Sequence, residues 1–156
     1  MQDAKLLLSG AISGVNNAIT GQTVTGTGAT VYSTYSIDKL AAQDIGEGNP
    51  LYLKLAVQTA ASGGTSLQVE PIDSTVADVG AGTVTSLGSL TIPVASLVAG
   101  AVFYIPIDPA IGSIGGRYLG VRYTTVGAVA AGAYIAEITN QISDPTKFYP
   151  SGFSVK

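Results

Sequence analysis

Alternation of apolar and more polar side chains is the feature that most restricts how this chain can fold. Within residues 51–57, Leu51, Leu53, Leu55 and Val57 occupy every second position. Successive side chains of a β-strand point to opposite faces of a sheet, so this period of two predicts a strand with one buried face. The same pattern recurs at residues 67–70, 118–123 and 134–139. The chain is therefore expected to be rich in half-buried strands.

Further strands are predicted from less regular segments. Ala101–Ile107 is apolar at both alternating positions, which predicts a strand that is covered on both faces. Pro71 is expected to end the run at 67–70 or to place it on a sheet edge, because proline has no backbone N–H. Weaker strands are predicted at residues 22–25, 30–37 and 83–90.

Turns rich in glycine and proline separate these segments, and no long run has a helical period. About eight short strands with such turns predict an all-β domain, which could be an antiparallel sandwich, a jelly roll or a barrel. Residues 29–143 are expected to form this domain, between an N-terminal arm (1–28) and a C-terminal arm (144–156). The residues expected in its core are Leu53, Leu55, Val69, Leu119, Val121 and Ile138.

The chain carries unusually little charge. Charged residues make up 11% of its 156 residues, against about 25% in an average domain. This composition fits a protein whose surface is partly covered by partners, and it equally fits a small threonine-rich β domain. The net charge is −3 and no basic run occurs, so nucleic-acid binding is not expected.

No membrane anchor or export signal is expected either. No apolar stretch reaches the roughly 18–20 residues that cross a bilayer. The short apolar run after Lys5 is interrupted at Ser9 and preceded by Asp3, which argues against a cleaved signal peptide. The protein is thus expected to be made in the cytoplasm.

The residue types needed for most catalytic and metal sites are missing. The chain has no His and no Cys, which excludes the usual triads, cysteine nucleophiles and zinc sites. Two acidic pairs, Asp44 with Glu47 and Asp73 with Asp78, lie in turns, where such residues mostly cap their own backbone or face water. We expect no enzyme activity, no cofactor and no metal. Exposed tyrosines leave a carbohydrate-binding module open, and the candidates are Tyr32, Tyr35, Tyr52 and Tyr118.

Three segments resemble, in the same order, a family of capsid-cement (head decoration) proteins of tailed bacteriophages. Gln43–Leu53 is similar to that family's entry to a strand, and Leu90–Gly100 is similar to its connector with the pattern IP-x-x-x-L-x-A-G. Arg117–Tyr123 resembles its strand with the pattern RYL-x-[LV]-x-Y. The resemblance covers roughly residues 1–140.

The resemblance implies a jelly-roll β-sandwich on the outer surface of the phage head. Copies would form dimers or trimers at local symmetry axes and bridge neighbouring major capsid proteins, stabilising the shell against packaged DNA. The alternative is a carbohydrate-binding or host-attachment β module.

The two arms hold the residues that we expect to contact these partners. They are large apolar side chains in segments whose Gly, Ser and Pro content disfavours a sheet, and a free arm gains nothing by exposing them to water. The alternative is that the arms fold back onto their own sandwich. The candidate interface residues are Leu6, Leu7, Leu8, Phe148, Tyr149 and Phe153.

Overall fold

Two antiparallel sheets pack face to face in the computed structural model, which describes residues 6–13, 18–41, 50–108, 116–140 and 142. The first strands in that part of the chain are β1 (Leu7–Ser9), β2 (Ala11–Ile12), β3 (Ile19–Thr20), β4 (Gln22–Thr23), β5 (Gly26–Thr27), β6 (Thr30–Tyr32) and β7 (Ile37–Asp38). The later ones are β8 (Tyr52–Gly63), β9 (Ser66–Ser74), β10 (Val84–Ser86), β11 (Leu90–Pro93), β12 (Val102–Pro106), β13 (Tyr118–Val126) and β14 (Ala128–Thr139). Helix is limited there to short 3-10 turns such as Val94–Ser96. The predicted all-β sandwich is confirmed.

The strand order is that of a jelly roll. The first sheet runs β1–β14–β8–β12, and β4 and β5 lie on the same side of β14 as β1. The second sheet runs β10–β9–β13–β6, with β11 beside β10 and β7 beside β6. Strands that share one position in a sheet are counted together: β1, β4 and β5 are position 1, β6 and β7 are position 2, and β10 and β11 are position 5. The strands β8, β9, β12, β13 and β14 are then positions 3, 4, 6, 7 and 8. The two sheets have the orders 1-8-3-6 and 2-7-4-5, which is the double Greek key of a jelly roll. A separate hairpin joins β2 and β3.

The inner faces of the two sheets form one hydrophobic core. Every residue predicted for the core is buried, so that prediction is confirmed. The two largest fully buried side chains are Tyr123 of β13 and Tyr134 of β14. They come from opposite sheets and stack on each other. Each large apolar side chain that becomes fully buried contributes about 1.5–3 kcal/mol, so this core holds the sandwich together without a disulfide.

The N-terminal segment belongs to the sandwich, which corrects the predicted arm over residues 1–28 for the part that the structure describes. β1 pairs with β14, where Leu7 lies opposite Glu137 and Ser9 lies opposite Ala136. β4 and β5 continue along the same side of β14, and Val24 between them is fully buried. Gly and Asn, which are depleted in strands, recur in this segment, but pairing with a long central strand supplies the hydrogen bonds that local propensity does not.

Pro71 does not end its strand, contrary to the prediction. β9 continues to Ser74 between β13 and the strands β10 and β11. The carbonyl oxygen of Pro71 accepts a hydrogen bond from the Leu87 N–H at 2.9 Å, in the break between β10 and β11. The N and O atoms of one strand residue point to the same side, so the missing N–H also faces this break. Proline is tolerated here because no continuous ladder needs its N–H.

The apolar run 101–107 forms an edge strand whose outward face is only half-buried, so it is not covered on both faces as predicted. β12 pairs only with β8 in the first sheet. Ile105 and Ile107 point into the core, whereas Val102 and Tyr104 face outward and are half-buried. The outward residues lie beside those of β8, where Val102 is opposite Ala56 and Tyr104 is opposite Lys54.

Candidate interaction surface

The predicted N-terminal contact residues mostly serve the fold. Leu8 is fully buried in the core and Leu7 is 5% exposed, whereas Leu6 is 39% exposed. The hydroxyl of Ser9, which follows Leu8 in the chain, is also buried and accepts a hydrogen bond from the Tyr123 hydroxyl at 2.7 Å. Of the three leucines, Leu6 alone keeps a surface that a partner could contact. The other predicted contact residues, Phe148, Tyr149 and Phe153, lie outside the described residues.

Most charged side chains of the sandwich are paired with each other. Lys39 and Asp73 form a buried ion pair at 2.9 Å, and Lys54 pairs with Glu137 on the outer face of the first sheet. On the second sheet the Arg122 guanidinium donates to Glu70 at 2.7 Å, and the hydroxyl of Ser86 donates to the other oxygen of that carboxylate. These carboxylates are held by structural partners, an arrangement that stabilises the sheets and offers no pair facing across a cleft.

An exposed ion pair joins β7 to the start of β13. The Arg117 guanidinium donates to both carboxylate oxygens of Asp38, at 2.7 and 2.8 Å. This hydrogen bonding lowers the pKa of Asp38 and raises the pKa of Arg117. Arg117 also lies over the ring of Tyr118, with its guanidinium carbon 5.3 Å from the ring centroid. The pair therefore connects β7 with the segment Arg117–Tyr123.

The tyrosines proposed for carbohydrate binding do not form one platform. Tyr32 and Tyr118 face outward on the second sheet, whereas Tyr52 faces outward on the first sheet. The loop after β9 covers part of the Tyr32 ring, because a Cβ on Gly80 would lie 2.8 Å from it. Tyr35 is the most exposed of the four, at 47%.

The two acidic pairs considered from the sequence do not form a site in the described residues. The Asp44–Glu47 turn lies outside them, and Asp73 of the second pair forms an ion pair with Lys39.

The two ends of the sandwich differ in charge. Residues 6–37, 55–69, 79–107 and 123–136 contain no Asp, Glu, Lys or Arg. Strand pairing brings one connection from each of these stretches to the same end of the sandwich, which we call the neutral end. Its connections are Gly28–Ala29, Gly63–Thr65, Val94–Gly100 and Gly127. The opposite end, which we call the charged end, carries Asp38, Lys39, Asp73, Asp78, Asp108 and Arg117.

Exposed apolar side chains lie at the neutral end. Val98 is 55% exposed and Val126 is 45% exposed. The connections are tied together, because the Thr65 N–H donates to the Val126 carbonyl at 2.7 Å and the Val94 N–H donates to the Thr65 carbonyl at 3.0 Å. This surface was not predicted from the sequence. Its signal was present as four uncharged stretches, but only the strand pairing shows that they meet.

The Bbp16 family model matches residues 19–138, about three quarters of the chain. The chain belongs to the Bbp16 family. The matched region begins at Ile19 of β3 and ends at Ile138 of β14. The Bbp16 match therefore includes every strand of the second sheet and every strand of the first sheet except β1. The name of the Bbp16 family indicates a relation to phage. A search of curated proteins found no match.

Two other kinds of site are absent from the described ranges of this Bbp16-family chain. No helix in its described ranges is both long and apolar enough to cross a membrane. Nor do those ranges bring together three or more metal-binding side chains.

Proposed function

We propose that this chain is a structural decoration protein of a tailed-phage head. It binds the outside of the assembled shell, bridges neighbouring major capsid proteins and associates with further copies of itself. The observation that carries this proposal is the match to a phage-related family across the jelly roll. The three motifs that resemble cement proteins lie within the matched residues and agree with it.

The arrangement of charged and polar side chains supports a structural role over catalysis. The carboxylates of the described sheets mostly serve ion pairs, and the core is packed with aliphatic and aromatic residues. A rigid module of this kind suits binding through preformed surfaces, because little ordering entropy is lost on contact. The protein would act without a cofactor, a metal or nucleic acid, and it would move from the host cytoplasm to the outer surface of the head.

The proposed mechanism is multivalent clamping. An oligomer presents several weak contacts at once, and after the first contact the effective concentration of the others is high. Because the protein binds the assembled shell and not its separate subunits, it stabilises the assembled state by linkage. Modest contacts on each copy then suffice to resist the outward pressure of packaged DNA.

Binding to purified heads tests this proposal. The protein is expected to bind heads assembled without it, to saturate at a fixed number of copies per head, and to raise the temperature at which the heads release DNA. Free major capsid protein serves as the control and is expected to bind much more weakly. Absence of head binding, together with retention on a glycan array, would favour the host-attachment alternative.

A further inference from the structure

The outer face of the second sheet is covered by the chain itself. The connection 75–83 between β9 and β10 lies on that face, where Val79 is 2% exposed and a Cβ on Gly120 would lie 2.9 Å from its side chain. Ile72, which points outward from β9, is fully buried. Apolar side chains that point outward on this sheet are therefore kept from water within one molecule.

The outer face of the first sheet remains only half-buried in the single chain. Three of its apolar side chains lie side by side on neighbouring strands, because Ile135 of β14 is opposite Ala56 of β8 and Ala56 is opposite Val102 of β12. All three point away from the core and are half-buried, and we call them the outer apolar row. Further burial of this row would be favourable, at about 25 cal/mol for each Å² removed from water.

The last part of the chain is well placed to cover such a row. β14 is the last strand of the described residues, it belongs to the first sheet, and it ends at Thr139, four residues beyond Ile135. The C-terminal segment, residues 144–156, follows with thirteen residues and three aromatic side chains. A segment of that length spans at most about 45 Å when extended, which is enough to reach a neighbouring molecule.

We infer that the C-terminal segment of one copy docks its aromatic side chains on the outer apolar row of a neighbouring copy. Ile142, which follows β14, is 58% exposed, so the chain lies at the surface where it leaves the sandwich. The row stays half-buried in the single chain and is left for a segment from another molecule. Two copies can exchange segments about a two-fold axis, since each supplies one segment and one row and the contact then closes.

Charge and composition favour this occupant over a different protein. The side chains of the C-terminal segment carry a net charge of +1, whereas those of residues 1–143 carry −4. Contact between the segment of one copy and the sandwich of another is therefore attractive. The outer apolar row contains no charged side chain, and interface cores are enriched in aromatic residues and depleted in charged ones. This inference rests on the proposed function only in the self-association of the chain.

Disulfide trapping in the full chain tests the inference, because the chain has no cysteine of its own. Ala56→Cys places a thiol in the outer apolar row, and Ser154→Cys places one beside Phe153 without removing an aromatic side chain. Thr124→Cys, which is outward and half-buried on the second sheet, is the matched control for Ala56→Cys. Docking raises the effective concentration of the two thiols, so Ala56→Cys should form the mixed disulfide with Ser154→Cys at least about tenfold faster than Thr124→Cys does.

A double variant shows which copy supplies the segment. Ala56→Cys combined with Ser154→Cys is expected to give disulfides between chains, at a rate that rises with protein concentration. Closure of the disulfide within one chain would show that the segment packs on its own sheet. Equal trapping by Thr124→Cys would show that the outer apolar row is not the docking site. Either of these results overturns the inference.

Sedimentation provides a second test without cysteines. Ile135→Lys places a charge in the row, and replacement of Phe148, Tyr149 and Phe153 by serine removes the aromatic side chains. Each change is expected to weaken self-association at least about tenfold, and their combination should weaken it no further because both remove the same contact. Thr124→Lys is the control and should associate like the wild type. A monomeric wild type, or effects that add, would overturn the inference.

Binding to phage heads separates this inference from the proposed function. Mixed disulfides in a chain that does not bind heads would contradict the proposed function alone. Head binding without trapping at Ala56→Cys would contradict this inference alone.

Discussion

Tyr123 and Tyr134 stack between the two sheets with ring centroids 6.2 Å apart and planes inclined by 21°, but their hydroxyls are treated differently. The Tyr123 hydroxyl donates to the Ser9 Oγ, whereas the Tyr134 hydroxyl is buried and has no hydrogen-bond partner. The first contact links β13 to β1, so the N-terminal strand is held by a side-chain bond as well as by its ladder. The second tyrosine contributes to the core through its ring alone.

Replacing each tyrosine by phenylalanine should therefore have opposite effects. Tyr123→Phe leaves the buried Ser9 hydroxyl without its donor and should lower the free energy of unfolding by about 1–3 kcal/mol. Tyr134→Phe removes an unpartnered buried hydroxyl and keeps the ring, so stability should be unchanged or higher by about 1 kcal/mol. Urea unfolding of both variants checks this. Equal losses would contradict the assigned hydrogen-bond pattern.

Stability should also fall at alkaline pH because of this pair. Burial raises the pKa of Tyr123 and of Tyr134 above the ordinary value near 10. The folded state then keeps protons that the unfolded state loses, so stability is complete below about pH 10 and declines as the pH rises above it. The free energy of unfolding measured at about pH 8 and about pH 11 tests this. The loss of unfolding free energy between these pH values should be smaller in Tyr123→Phe. An unchanged loss would mean that other tyrosines cause it.

Leu8 and Leu6 should differ sharply when truncated. Leu8→Ala leaves a cavity in the core and should cost about 2–5 kcal/mol of unfolding free energy. Leu6→Ala changes a side chain that is largely at the surface and should stay within about 0.5 kcal/mol. Thermal unfolding of the two variants distinguishes these outcomes. A small effect for Leu8 would restore the original expectation that this leucine belongs to an arm.

The buried ion pair between Lys39 and Asp73 should be sensitive to the loss of one partner. Lys39→Met leaves the Asp73 carboxylate buried, with one oxygen already lacking a partner, and should cost about 3–5 kcal/mol. Adding Asp73→Leu should recover part of that loss. Arg117→Met, which breaks the exposed pair with Asp38, is the control and should have a much smaller effect. Chemical denaturation gives the free energy of unfolding of all three variants. Equal losses for Lys39→Met and Arg117→Met would contradict the argument from burial.

The C-terminal residues 144–156 remain predicted to contact partners through Phe148, Tyr149 and Phe153. Their deletion should leave the melting temperature of the domain nearly unchanged and weaken binding to phage heads. Replacing the three aromatics by serine in the full-length chain is the matched variant and should reproduce the effect. Unchanged head binding combined with a less stable domain would mean that these residues pack on their own sandwich.

The predictions from sequence succeeded where a strand carried its own pattern. Leu53 and Leu55 alternate with polar neighbours over several residues, which is enough to assign both the strand and its buried face. Leu7 and Leu8 carry no such pattern, and their burial depends on pairing with β14 some 130 residues later in the chain. The prediction for Pro71 was wrong because the break that accommodates this residue lies between two other strands, β10 and β11. The sequence around Pro71 does not indicate that break.

The candidate surface was predictable only in part, for a similar reason. The low charge of the chain fitted contact with partners and, equally, a small threonine-rich β domain. Val98 and Val126, however, lie in separate stretches that are unremarkable alone. Their common position follows from the hydrogen bonds between the Val126, Thr65 and Val94 backbones, which no local pattern encodes.

The edge strands of the two sheets, which form the sheet margins, are mostly interrupted, and this affects how densely the molecules can be crowded. On three of the four sheet margins the outermost position is shared by two or three strands of two to four residues, as with β10 and β11 beside β9. A long uninterrupted margin is a template for strand addition by another molecule, and that reaction leads to fibres. Broken margins offer at most a few adjacent hydrogen-bonding groups before the register is lost. Many copies could thus be concentrated side by side with little tendency to polymerise into amyloid-like aggregates.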